Sequence, residues 1–417
     1  MIIALTSVAL ALVVVFLGAQ VYWAWRLALL YPPPEPPAVQ DEEWPRVAVI
    51  LPTRGADPSL VDCLENLLNL DYPHYDIRIV VDSEDDPAWG IVRDVLAKRP
   101  AAPVRIALLE KRRESCSLKV SALLQALDDL DESVQTAALI DGDVIPYPQW
   151  LRDLVRPLRD PAVGATTGVR WYVAAHANWG SLVRTTWNAA AATQMYAFDI
   201  PWAGSMAFRT DLLRQSDVRT KWARCFCEDV PLYGVLSGLG LRLHLVPAST
   251  MMNGERVGLK SCFVFIRRQL LSVRLYHRRW PLVVAAGVGS VLAMAAGIGV
   301  LATDLAAGEW SAAGVLGGAL ALWVIGLTSA MARIDGALRG MAARRGWAVP
   351  WPPPRIIPAA LLTPLVHLAA LLSAIRMRKV EWRGVTYELL GPLTLRMVEY
   401  RPYRPATETA DPKTSVL

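Results

Sequence analysis
Four stretches of the chain carry no charged residue over bilayer-scale lengths: Ile2–Trp25, Pro281–Thr303, Trp310–Ala332 and Ile356–Ile375. About 20 apolar residues in a helix cross the hydrocarbon core, so each stretch is a candidate membrane segment. The first has no basic n-region and no small-x-small end, which favours an uncleaved anchor over a signal peptide. Pro358 and Pro364 interrupt the fourth, which reads either as a span or as a re-entrant or interfacial element. Between the first and second segments the pattern changes. Val47–Leu51, Ile77–Val81, Val104–Leu109 and Ala137–Ile140 read as strands. Pro58–Leu70, with Leu60, Leu64, Leu67 and Leu68 on one face, reads as a helix, as do Ala88–Ala97, Ser117–Leu130 and, further on, Pro231 to Leu239. Strand–helix alternation predicts an α/β domain with a mostly parallel, doubly wound sheet. Tyr31–Pro37 (YPPPEPP) is a stiff linker, and the polar tail from Arg404 is expected to be disordered.

Composition sharpens this picture. Hydrophobic residues are 53% and charged residues 19%, against about 25% charged in soluble domains, which excludes a disordered chain or a disulfide scaffold. The net charge of +5 is small and scattered, which argues against nucleic acid as a partner and for a basic surface beside a bilayer. Arg267, Arg268, Arg274, Arg278 and Arg279 precede the second segment, and Arg333, Arg339, Arg344 and Arg345 follow the third. Asp304 and Glu309 lie in the short loop between them. Basic flanks stay in the cytoplasm, so the bulk domain is expected there, in an inner membrane or its equivalent. The fourth segment conflicts with one full crossing, because Arg376, Arg378 and Lys379 after it also favour the cytoplasm. Five cysteines, all on the expected cytoplasmic side, are read as free thiols; Cys225 and Cys227 have no partner pair at zinc spacing.

Chemistry is expected where strands end. Asp82 follows Val81, and Asp141-Gly142-Asp143 follows Ile140. Two carboxylates one residue apart repel unless a cation lies between them, so Asp141 and Asp143 suit a hard divalent ion, Mg²⁺ or Mn²⁺; the alternative is a solvated turn. There is no GxGxxG after a first strand and no phosphate-binding GxxxxGK[ST]. Glu228-Asp229 is either a catalytic pair or the start of the helix that follows.

The ordered set VILPTR (49–54), VVDS (80–83), Leu118–Lys119, IDGDV (140–144), CEDV (227–230), RRQLLSVRLY (267–276) and WRGVTY (382–387) resembles family 2 glycosyltransferases of the GT-A fold, in their membrane-bound, ceramide-glucosyltransferase-like branch. The resemblance implies a GT-A, Rossmann-like domain and inverting transfer of a sugar, glucose first, from a UDP-sugar to a membrane lipid such as ceramide, a diacylglycerol or a hopanoid. It gives Asp82 to the nucleotide's base or ribose and Lys119 to a place near the nucleotide. Asp141 and Asp143 are given to ribose, metal and diphosphate, and Asp229 to the general base. Gln269, Arg267 and Arg268 stand where the branch carries its Gln/Arg-x-x-Arg-Trp motif, yet counting from Gln269 the Arg-Trp positions hold Ser272 and Val273. The arginines there serve either as phosphate ligands or as basic membrane flanks. Trp382-Arg383-Gly384 either anchors at the interface or closes over the nucleotide. Trp171, Trp179, Trp187 and Trp202 fall in the acceptor half, suited to a lipid interface or to core packing. The domains expected are an anchor (1–28), the GT-A domain (40–280), a membrane domain of two spans and a Pro-broken segment (281–378), and a cytoplasmic tail (379–417). Rival readings are a processive polysaccharide synthase and a non-enzymatic scaffold.

Overall fold
A strand covered on both faces must be apolar at successive positions, and the central strands follow that rule. In the computed structural model, which describes residues 2–34 and 43–403, β1 (Val47–Thr53), β2 (Tyr75–Val81) and β4 (Thr136–Ile140) are buried almost throughout, whereas β3 (Val104–Leu108) alternates between half-buried and exposed positions. Next come β5 (Val163–Thr167), β6 (Arg170–Tyr172), β7 (Ser205–Arg209), β8 (Arg242–Leu245) and β9 (Met251–Asn253). The main sheet has seven strands in the order β3-β2-β1-β4-β7-β5-β8, with β7 running against its neighbours and every other pairing parallel. The alternating, less buried strands β3 and β8 lie at its edges, which explains their pattern. β6 and β9 pair separately in parallel.

Residues in β1 alternate between two cores. Ile50 joins the helix Leu118–Asp128 on one face, while Val49 and Leu51 join the helices Leu60–Leu67 and Pro87–Ala97 on the other. The strands and helices expected in residues 47–140 are present with ends shifted by a few residues.

The segment after residue 378 is more than a tail. β10 (Lys379–Trp382), β11 (Val385–Gly391) and β12 (Thr394–Tyr400) form an antiparallel sheet, and Val380, Val385, Tyr387 and Leu389 join the core beside Leu123 and Phe226. Their period-two alternation buries one face on the α/β domain. The polar stretch from Arg404 and residues 35–37 of the linker lie outside the described residues.

Four helices are long and apolar enough to cross a membrane: Ile3–Ala28, Trp280–Ala306, Trp310–Arg344 and Ile356–Arg376. The first packs on the second and third, with Thr6 donating to Asp304 and Gln20 bonded to Ser290 and Trp323. The fourth was expected to be broken by proline. It instead runs unbroken through Pro364, because Pro358 sits in the first turn, where no donor is needed, and neighbouring helices steady the rest. It packs along Trp179–Phe198 and Leu259–Tyr276 as well as Trp280–Ala306. Its last carbonyls, Ala374 and Ile375, accept from Arg274, and just before its start Trp351 lies under Arg339. Ile357, Leu361, Leu365 and Leu372 form an exposed apolar stripe along it.

Candidate active site
β2, β1 and β4 are neighbours, so the residues after them converge at one end of the sheet. Asp82, Arg54 and Asp141 occupy those places. With Asp143, Lys119, Glu228 and Asp229 they line a single cavity of about 1020 Å³. Three acidic sites far apart in the chain thus open onto one space.

The Asp-Gly-Asp turn is densely charged. Arg170, at the start of β6, donates to both oxygens of Asp143 (2.7 and 2.6 Å) and to Asp141 Oδ2 (3.2 Å). Lys119 Nζ is 2.6 Å from Asp141 Oδ1 and 2.6 Å from Glu228 Oε1. Burial works against the Asp143 charge, but the Arg170 guanidinium outweighs it and holds the carboxyl below its ordinary range. Burial pushes Glu228 up despite Lys119. The two aspartates share one cation, and their hard oxygens suit Mg²⁺ or Mn²⁺ in chemistry; a metal there would compete with Arg170. Among the described residues no group of three or more His, Cys, Asp or Glu is clustered as a metal site, so the donors would be Asp141 and Asp143 with oxygens from substrate or water.

Beside them, burial first and the Asp143 charge second push the Asp57 carboxyl up to about 6. A carboxyl raised in the folded state favours folding while it is protonated, and that support is lost as pH rises from about 4 to about 6. Asp57→Asn is therefore expected to raise Tm at pH 7.5 in EDTA, by an amount that shrinks steadily as pH falls toward 4. An unchanged Tm at pH 7.5 would contradict this.

Asp82 lines the cavity but is closely partnered. Arg54 and Arg112 donate to its carboxylate, and the Tyr400 hydroxyl donates to Oδ2 at 2.8 Å. The Tyr400 ring lies under both guanidiniums, 5.0 and 4.4 Å from Cζ. Arg54 Nε also donates to the Arg383 carbonyl (3.0 Å), and Arg383 donates back to the Arg54 carbonyl. Arg383 lies 3.6 Å from Asp57. The C-terminal sheet is thus fastened to the strand ends, with Trp382 and Arg383 of Trp382-Arg383-Gly384 lining the cavity. Arg112, Arg170 and Tyr400 escaped the reading of the sequence, since nothing local marks them.

The Glu228-Asp229 step separates two roles. Glu228 is buried and turned to Lys119; it stands at the N-cap position of the helix that follows, but its side chain makes no cap hydrogen bond there. Asp229 opens the helix Asp229–Gly238 and accepts from the Val230 amide (2.8 Å) and the Ala203 amide (3.3 Å).

The basic cluster divides in the same way. Arg268 and Gln269 line the cavity, and Arg268 lies 5.0 Å from the Trp382 ring. An arginine–tryptophan pair is thereby assembled from two distant segments. Burial, with Arg383 nearby, lowers Arg268 to about 10. Arg267, expected beside the nucleotide, does not line the cavity and lies instead over Phe263, because the next helical position is turned by about 100°. Arg274 is occupied with the end of the fourth apolar helix. Arg274→Ala is expected to lower Tm, whereas Arg268→Ala, which only opens the cavity wall, is expected to change it little. Thermal melts of both variants test the division, and equal effects would contradict it.

Away from the carboxylates the cavity becomes apolar. Met294, Leu327, Ile357 and Leu361 of the membrane helices line it together with Trp171, Trp187 and Trp202. Trp179 is exposed and does not line it.

The model of glycosyl transferase family 21 matches residues 6–392. A ceramide glucosyltransferase of Komagataella phaffii is 36% identical over 73 residues, 18% of this chain and 13% of that protein. Another, of Pyricularia oryzae, is 33% identical over 72 residues, 17% and 15% of the two. The aligned stretches thus span only a small part of these relatives' length. A mannosyltransferase of Pyrobaculum calidifontis, solved with GDP-mannose and Mn²⁺, superposes with a TM-score of 0.51 at 23% identity, over 82% of this chain and 99% of that one, a likeness of fold. With the family model running from the first apolar helix into the C-terminal sheet, this chain belongs to glycosyl transferase family 21.

Proposed function
We propose that the protein transfers a sugar, glucose in the first place, from a UDP-sugar to the hydroxyl of a ceramide-like membrane lipid, with inversion at the anomeric carbon. The observation that carries this reading is the continuity of one cavity from the carboxylates into the apolar membrane helices. A lipid can lie among the helices while its hydroxyl meets a nucleotide sugar at the sheet.

Each residue then has a task. Asp82, held by Arg54, Arg112 and Tyr400, is the group that faces the base or ribose. Arg268, Arg383 and Lys119 supply positive charge where the leaving diphosphate develops negative charge. A divalent cation held by Asp141 and Asp143 would add Lewis-acid stabilisation of that leaving group. Asp229 accepts the proton of the acceptor hydroxyl at a carboxylate oxygen as the bond to the sugar forms. Holding both substrates in one enclosed space lowers the entropic barrier. One displacement inverts, so an α-linked donor gives a β-linked product. The carboxylate sites and the lipid-facing cavity favour a single transfer over a polymerase or an inert scaffold.

The membrane arrangement supports the same reading. Arg345, just after the long third helix, lies over Tyr147 of the α/β domain, so the basic flanks and that domain share one side, the cytoplasm by the positive-inside rule. Both ends of the fourth apolar helix are tied to elements near that side, which supports reading it as an interfacial element. The test is UDP release from UDP-glucose by the full chain in detergent. Release that rises with added ceramide and divalent cation supports the reading. Release that ignores ceramide, or a preference for GDP-mannose, overturns it.

A further inference from the structure
One polar group in the apolar part of the cavity has no task in the reaction above. His367, in the helix Ile356–Arg376, lines the cavity beside Trp187 and Gly287. Trp187 Nε1–H donates to His367 Nδ1 at 3.0 Å. An indole nitrogen only donates, so Nδ1 must present a lone pair, and a neutral imidazole then carries its hydrogen on Nε2. That Nε2 is buried and has no hydrogen-bond partner among the described residues. The nearby hydroxyls of Thr186 and Thr363 are satisfied by each other, 2.5 Å apart. Only a glycine fits beside the orphan donor: a Cβ on Gly287 would come within 2.7 Å of Nε2. Buried donors are rarely left unpaired, and an orphan donor on a side chain that lines the cavity calls for an acceptor atom there.

The wall between this donor and the carboxylates is continuous. The Trp187 ring is 5.9 Å from Phe265, which is 5.8 Å from Tyr172, whose hydroxyl accepts from Arg170. Val230, next to the Asp229 carboxylate, belongs to the same apolar cluster.

We propose that His367 Nε2–H, its tautomer fixed by Trp187, is the hydrogen-bond donor that recognises a carbonyl oxygen in the interfacial part of the acceptor lipid and so selects an amide-bearing lipid over a carbonyl-free one. This rests on the lipid-acceptor reading of the cavity. A carbonyl is a strong acceptor that can satisfy the imidazole without adding charge to an apolar space. The other end of the lipid is left to the carboxylates.

The test uses the full chain in detergent and two probes with a free primary hydroxyl: N-hexanoyl sphingosine, and 1,2-di-O-hexylglycerol, which has no carbonyl. Retention of each tritiated probe gives Kd directly. His367→Met, close in volume but without a donor, should weaken N-hexanoyl sphingosine about tenfold, the scale of one lost hydrogen bond, and leave the diether unchanged. His367→Gln, which keeps an N–H, should recover most of the affinity. Trp187→Phe, which frees the tautomer, should fall between. Donor KM should be the same throughout, which also reports an intact fold. Equal losses for both probes, no loss for either, or Gln behaving as Met would overturn the proposal. His367-dependent binding in a protein that never releases UDP would refute the proposed reaction while leaving this subsite standing.

Discussion
Asp229→Asn is expected to lower sugar transfer by about 10²–10⁴-fold while UDP-sugar binding stays within about twofold of wild type. The asparagine keeps the side chain's shape, and its one oxygen can still accept from the Val230 amide, so the helix start should survive; only the longer 3.3 Å bond from the Ala203 amide to the other oxygen is given up. What it loses is the ability to take a proton. The neighbouring carboxylate cannot substitute, because Glu228 is buried and committed to Lys119. Glu228→Gln should therefore give a different signature, with destabilisation alongside lost activity. Single-turnover kinetics of Asp229→Asn with saturating donor, beside equilibrium binding of UDP-glucose, checks the claim. Turnover near wild type would remove Asp229 from the mechanism.

The second large effect concerns Lys119. Its ammonium lies between Asp141 and Glu228, each at 2.6 Å, and the Glu228 side chain is only 3% exposed. Removing one partner of a buried pair leaves an uncompensated charge, which costs about 3–5 kcal/mol, whereas replacing both by apolar groups is often close to neutral. Lys119→Met should thus destabilise the α/β domain by about 3–5 kcal/mol and abolish transfer. Lys119→Met with Glu228→Leu should recover most of the stability and none of the activity. Chemical denaturation of the three proteins separates the outcomes. If the single variant is as stable as wild type, Glu228 is not held as an ion by Lys119.

Much of this site was legible in the chain because its chemistry sits where strands stop. The central strands announce themselves as continuous apolar runs, being covered on both faces, and Asp82 and Asp141 follow two of them directly. The supporting residues were not legible for a physical reason. Tyr400 reaches Asp82 across 318 positions, and Arg170 reaches Asp143 across 27, so neither carries a local pattern. The C-terminal sheet was overlooked although β11 and β12 alternate in burial, because its partner surface is remote in sequence. Among Arg267, Arg268 and Arg274, membrane flanking and phosphate binding call for the same residue type. Only helix geometry separates the one in the cavity from the one that holds a helix end. Pro364 misled in the opposite direction, since a packed apolar helix tolerates a proline that an isolated one would not.

The central claim is that sugar and lipid meet in one space beside Asp229. The most direct measurement is the structure of the product. The full chain in detergent is given ¹³C-labelled UDP-α-glucose and ceramide, and the lipid extract is read by mass spectrometry and by the anomeric coupling in NMR. A single hexose, β-linked to the ceramide primary hydroxyl and absent with Asp229→Asn, is the result predicted. An α-linked product, a polymer, or free glucose with unmodified ceramide would contradict it.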